Sequence, residues 1–154
     1  ILDGGYQEVF SSGTNNPPAI YACGIALKKQ IESNEYTHIE ELNLYLRKLI
    51  KENIKDSYII SPIENSSPYI LDVAFSNIKS EVLLHMLEEE EIYVSSGSAC
   101  SKGQYSRVLS SLGIDKKYMD GAIRFSFSNE ITKKDLDFTL KVLKDSIEMI
   151  RRVI

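Results

Sequence analysis

One cysteine stands where a nucleophile is wanted. Ser95-Ser96-Gly97-Ser98-Ala99-Cys100-Ser101 is a run of glycine and small hydroxyl residues that follows a short apolar, strand-like piece, Ile92-Tyr93-Val94. No side chain in the run can build a core, so it reads as a mobile loop carrying one thiol towards solvent or a cleft. Cysteine is a strong nucleophile and acts as the thiolate, and the charge of Lys102 favours that form. The competing reading is an ordinary loop with an incidental cysteine. Arg124 lies inside an otherwise apolar strand candidate, Ile123-Arg124-Phe125. With its neighbours inward it points to the other face, into water; buried, it would need an anion, and a guanidinium matches a carboxylate in a bidentate fork. Ser11-Ser12-Gly13-Thr14 precedes a helix start, where hydroxyls and backbone N–H groups can hold a phosphate. It lacks the lysine of a P-loop, so no nucleotide triphosphate is indicated. Plain turn and capping chemistry is the alternative there.

The flanking elements follow from hydrophobic period and caps. Asn15-Asn16-Pro17-Pro18 starts a helix that runs to about Glu32, with Ile20, Cys23, Leu27 and Ile31 on one face and Cys23 read as a small buried hydrophobe. A second helix is expected to open at Thr37, with Glu40 completing a capping box and Leu42, Leu46, Leu49 and Ile50 inward. Ser57–Ser61 and Tyr69–Phe75 read as strands, and in the latter Leu71, Val73 and Phe75 alternate with Ile70, Asp72 and Ala74. Ser80 is expected to cap a helix over 81–91 with Val82, Leu83, Met86 and Leu87 inward. Its end, Glu88-Glu89-Glu90-Glu91, opposes the macrodipole and reads as a solvated, fraying terminus or as a patch for a basic partner. Tyr105–Leu112 reads as a short helix stopped by Gly113, and Ala122–Phe127 as a strand. Thr132 caps the last helix, with Asp135 at its third position and Leu136, Leu140, Leu143, Ile147 and Ile150 forming a stripe. This order fits an α+β layer, a small, mostly antiparallel sheet covered by helices.

Bulk properties narrow the partners. The chain has 154 residues, is 43% hydrophobic and 26% charged, and carries a net charge of −4. That balance suits a globular domain and argues against binding nucleic acid or an anionic membrane. No apolar run is long enough to span a bilayer. Cys23 and Cys100 do not make a disulfide framework, and His38 and His85 show no metal-ligand spacing to them. The expected setting is reducing and cytoplasmic, with no metal. The chain starts at Ile1 in mid-phrase, as part of a longer protein would.

Taken in order, Gly4-Gly5-Tyr6-Gln7-Glu8, Ser12-Gly13-Thr14, Ser67-Pro68-Tyr69-Ile70-Leu71-Asp72-Val73, Ser95 through Cys100, and Ile123-Arg124-Phe125-Ser126 resemble the cysteine desulfurases. These are pyridoxal-phosphate (PLP) enzymes of aminotransferase class V and fold type I. The resemblance covers essentially the whole chain but only the C-terminal part of such an enzyme, and its cysteine loop is similar to that of the branch with the longer loop. It implies that Cys100 takes sulfur from L-cysteine as a persulfide, leaving L-alanine, and passes it to an acceptor protein. It implies further that Arg124 binds the substrate carboxylate and that Thr14 reaches the cofactor phosphate across a homodimer interface. Residues 1–34 would end the large cofactor-binding domain, and 35–154 would form the small domain.

The chain departs from the family pattern at several places. Ser11 stands where an arginine is usual, Tyr6 replaces a common glycine, Tyr69 replaces an asparagine, and the segment after Cys100 is slightly short. No lysine has the context of the family's Schiff-base lysine, so this stretch alone is expected to be inactive. A selenocysteine lyase or another class V aminotransferase, and a non-catalytic sulfur-carrier or scaffold domain, are the alternatives. Iron–sulfur cluster assembly, thiolated tRNA and thiamine synthesis all remain open as destinations of the sulfur.

Overall fold

The computed structural model describes residues 15–33, 35–96 and 107–153. The chain divides into two compact units, Ile1–Glu35 and Tyr36–Ile154. Within the first, α1 spans Pro17–Glu32. The Asn16 side chain accepts a hydrogen bond from the Ala19 amide at 3.1 Å, and prolines fill the first turn, where their lack of N–H costs nothing. Ser33 ends the helix in extended conformation while its amide still reaches the Lys29 carbonyl. No residue of α1 is buried. Ile20, Leu27 and Ile31 are exposed, and so is Cys23, which corrects its reading as a packed hydrophobe.

The second unit holds the sheet and its helices. In chain order come α2 (Glu35–Asn53), β1 (Ser57–Ile59), β2 (Ile70–Phe75), α3 (Ser80–Glu88), β3 (Ser95–Ser96), α4 (Arg107–Ser111), α5 (Lys116–Met119), β4 (Ala122–Ser126) and α6 (Lys133–Val153). The four strands are all antiparallel in the order β1-β2-β4-β3. The α+β class and the small antiparallel sheet expected above are what the structure has. β2 and β4 form the centre, with Leu71 opposite Phe125 and Val73 opposite Ile123. With Phe75, these side chains lie in one core with Ile39, Leu42, Leu46 and Ile50 of α2, Leu83 and Leu87 of α3, and Leu136, Leu143 and Ile147 of α6. Each fully buried Leu, Ile or Phe contributes about 1.5–3 kcal/mol. On the opposite face Ala74 and Ala122 pack with Leu109 of α4, Ile114 and partly buried Ile60, Tyr118 and Met119.

Several boundaries move. α2 begins at Glu35 rather than Thr37, and its acidic first residue suits a helix N-terminus. α3 stops at Glu88, short of 91, because Glu89–Glu91 close a turn in which Glu91 takes φ +59°. Val82, expected inward, is 44% exposed. The strand lies at Ser95–Ser96, not at Ile92–Val94. The capping box of α6 is present: Asp135 Oδ2 accepts from the Thr132 amide at 2.8 Å and its hydroxyl at 2.7 Å, and the Asp135 amide donates to Thr132 Oγ1 at 3.4 Å.

Candidate functional site

The sheet face turned away from α2, α3 and α6 carries polar groups in register. Alternation along β4 sends Ile123 and Phe125 to the core, so Arg124 must project from the other face, where it is exposed. Directly opposite Arg124 stand Asp72 on β2 and Ser95 on β3. Exposed Ile70 and Ser126 flank them on the same face. Burial pushes the Asp72 carboxyl above its ordinary value, and the Arg124 charge pulls it back down. Among the described residues Arg124 enters no ion pair. An exposed guanidinium can receive an anion from solvent.

The backbone around Asp72 is fixed. Its carbonyl accepts from the Ile60 amide at 2.9 Å, and its amide donates to Ser61 Oγ at 2.8 Å. The loop supplying Ser61 is itself held from α2. Arg47, 7% exposed, donates to the Ser61 carbonyl at 2.7 Å, the Pro62 carbonyl at 3.0 Å and Asn43 Oδ1 at 2.6 Å. Asn43 in turn donates to the Pro68 carbonyl at 2.8 Å and the Ile70 carbonyl at 3.3 Å. Burial lowers the Arg47 pKa; an arginine stays charged nonetheless, and here neutral oxygens alone solvate it. Sequence reasoning missed Asn43 and Arg47, whose spacing of four residues on an otherwise apolar stripe was the available signal.

Of the three site residues expected from sequence, the structure places Arg124. Cys100 and Thr14 lie outside the described residues. Cys100 is four residues past Ser96. Four residues of extended chain reach roughly 14 Å, so the thiol is tethered to the strand that pairs beside Arg124. Asp72 and Ser95 were not singled out beforehand, because only the register of three strands separated in sequence brings them together. Among the described residues no cluster of His, Cys, Asp or Glu could hold a metal ion. No helix among them is long and apolar enough to cross a membrane.

Residues 5–138 match the aminotransferase class-V family. The chain belongs to that family. Among its curated relatives, the cysteine desulfurase IscS of Dictyoglomus turgidum is 33% identical over 99% of this chain, and the cysteine desulfurase of Gluconacetobacter diazotrophicus is 34% identical over the same share. The chain spans about two fifths of the length of these relatives, 40% in both cases. Among solved structures, a NifS-like protein superposes with a TM-score of 0.80 at 31% identity, covering 97% of this chain and 38% of that one. A NifS-like protein from Rickettsia africae gives 0.79 at 26% identity, covering 96% and 39%.

Proposed function

We propose that this chain is the sulfur-accepting part of a cysteine desulfurase. One observation carries the reading: the strand that leads into the Cys100 segment pairs with the strand of Arg124, with Ser95 opposite the guanidinium. A cation suited to a carboxylate thus pairs with the strand from which the chain continues to the thiol. In this reading Arg124 holds the carboxylate of L-cysteine in a bidentate fork, and the neighbouring Asp72 on β2 attracts the guanidinium and restricts its swing away from the sheet. The Cys100 thiolate attacks the substrate sulfur. The new S–S bond forms as the substrate C–S bond breaks; the bonding pair stays on carbon, which takes up a proton on the way to alanine. Ser95 and Ser96 bear no acid or base of suitable strength, so that proton comes from elsewhere in the protein.

The described residues do not by themselves fit a covalent cofactor. Lys28 pairs with Glu32 at 3.8 Å on exposed α1, and no lysine stands among the paired residues of β2, β3 and β4. Pyridoxal phosphate, held by the rest of the protein, supplies the electron sink for the carbon–sulfur cleavage. Residues 1–34 then belong to the large domain, with Thr14 reaching the cofactor phosphate from the partner subunit of a homodimer, and 35–154 form the small domain. The free thiol that accepts the sulfur must be kept from disulfide formation, which a reducing compartment does, the cytoplasm in this reading, and the persulfide then delivers sulfur for iron–sulfur clusters, thio-cofactors or thiolated tRNA. The test uses the full-length protein and L-cysteine labelled at sulfur. Alanine release with label retained on Cys100 is expected, and Cys100→Ser should abolish both retention and turnover. Undiminished alanine and sulfide release by Cys100→Ser would instead indicate a selenocysteine lyase-like enzyme. No turnover by the full-length protein would leave a carrier or scaffold domain.

A further inference from the structure

A second surface of the small unit has a chemistry that the reaction does not use. A trough of about 380 Å³ opens between the turn after α3, the end of β4 and the start of α6. Its walls are apolar: Ile92, Val94, Phe125, Phe127, Leu136 and Phe138. Phe138 is 47% exposed although it is aromatic and lies on the longest helix, and Tyr93 at the rim is 76% exposed. The charged groups lining the trough are all carboxylates, Glu90, Glu91 and Asp135. Asp135 is held as the anion by the Thr132 hydroxyl and amide, which lower its pKa. The cation next in sequence to Thr132, Lys133, turns to the ring of Tyr45, 5.6 Å from its centroid.

Two further facts say what such a surface fits. An apolar trough with a single-sign rim attracts a segment of opposite charge carrying an apolar anchor, and it repels acidic segments. One wall, Ile92–Val94, is also the stretch of chain that runs directly into Ser95 and Ser96. Cys100 is six positions past Val94, a span of at most roughly 20 Å. A protein seated in the trough is therefore within reach of the thiol.

We propose that this trough is the docking groove for a basic segment of the sulfur-accepting protein, with an aliphatic or aromatic side chain between Phe125, Phe127 and Phe138 and lysines or arginines facing Glu90, Glu91 and Asp135. The proposal rests on the desulfurase reading above and names the partner's chemistry. The groove selects acceptors by charge before the thiol meets them, and association through it weakens as salt rises.

The experiment uses the full-length protein and two fluorescein-labelled twelve-residue peptides read by anisotropy. One alternates lysine with leucine and phenylalanine; the other has glutamate in place of lysine. The lysine peptide is expected to bind and the glutamate peptide not. Glu90→Lys with Glu91→Lys should weaken binding about tenfold, as should Phe138→Asp or, at the rim, Tyr93→Asp. Reversal of Glu40 and Glu41, exposed on α2, should leave binding unchanged. Equal weakening by the α2 reversal, or equal binding of both peptides, overturns the proposal as unspecific attraction. Failure of Phe138→Cys to take a maleimide at position 138, read by peptide mass in a full-length Cys23→Ser, Cys100→Ser background, overturns it as well, since the rest of the chain then fills the groove. Alanine release from cysteine is followed alongside; its absence refutes the desulfurase reading whatever the peptides do.

Discussion

Replacing Arg47 by methionine tests how Asp72 and the sheet face are held. The substitution keeps the apolar stem and removes three donated hydrogen bonds. Their acceptors do not suffer equally. The Pro62 carbonyl still receives the Ser66 hydroxyl at 2.7 Å, and Pro62 itself is exposed, so its loss costs little. The Ser61 carbonyl is half-buried, and Asn43 Oδ1 sits in a residue only 4% exposed. An orphaned buried acceptor costs about 1–3 kcal/mol. One such group fully and a second in part give about 3 kcal/mol for Arg47→Met. At a urea slope of about 2 kcal/mol/M, the unfolding midpoint should fall by about 1.5 M. The chain has nine tyrosines and no tryptophan, so tyrosine fluorescence and far-UV circular dichroism are the probes. Arg47→Met and Asn43→Ala combined should cost about 1 kcal/mol less than their sum, because each breaks the same Nε–Oδ1 bond. A midpoint shift under about 0.5 M for Arg47→Met would refute the idea that this guanidinium fastens the 61–70 loop to α2.

Other expectations follow from single sites. Gly121→Ala places a methyl group on the Phe75 carbonyl oxygen, in the close approach where the Phe75 amide also bonds the Gly121 carbonyl, and should cost about 3 kcal/mol by urea titration. Thr132→Ala removes the cap of α6 and should cost about 1 kcal/mol. Because Thr132 holds the folded Asp135 carboxyl below its ordinary value, the contribution of that carboxyl is present above the unfolded value and is lost as pH falls through the folded one; the acid limb of the stability–pH curve should flatten in Thr132→Ala. Arg124→Gln in the full-length protein should raise KM for cysteine about a hundredfold, and NMR titration should find the Asp72 pKa moved further up once the opposing cation is gone.

Alternation and period made the frame legible. Leu71-Val73-Phe75 and Ile123-Phe125 showed two half-buried strands, and the Thr132–Asp135 box with its leucine and isoleucine stripe showed α6 nearly to the residue. Local pattern was silent where long-range pairing decides. Ile92-Tyr93-Val94 is the more strand-like sequence, yet the ladder forms at Ser95-Ser96 because those residues lie opposite Ile123 and Arg124. Ala74 looked like the solvent side of an alternating strand and is fully buried, since α4 and α5 pack over that end of the sheet. Cys23 erred the other way, its stripe being apolar in sequence and uncovered in the structure. At the candidate site, Arg124 could be found from its place between two core residues, whereas Asp72 and Ser95 acquire meaning only from the register.

The strand order β1-β2-β4-β3 has a consequence for biosynthesis. β3 leaves the ribosome before β4, its sole neighbour in the sheet, has been made. Strand β3 therefore lacks its ladder partner until Ala122–Ser126 emerges, and that same stretch brings Arg124. A nascent polypeptide halted before Ile123 holds neither half of the pair in place. Strand β3 joins the sheet and the guanidinium takes its place beside it in one late, non-local closure, a slow kind of step.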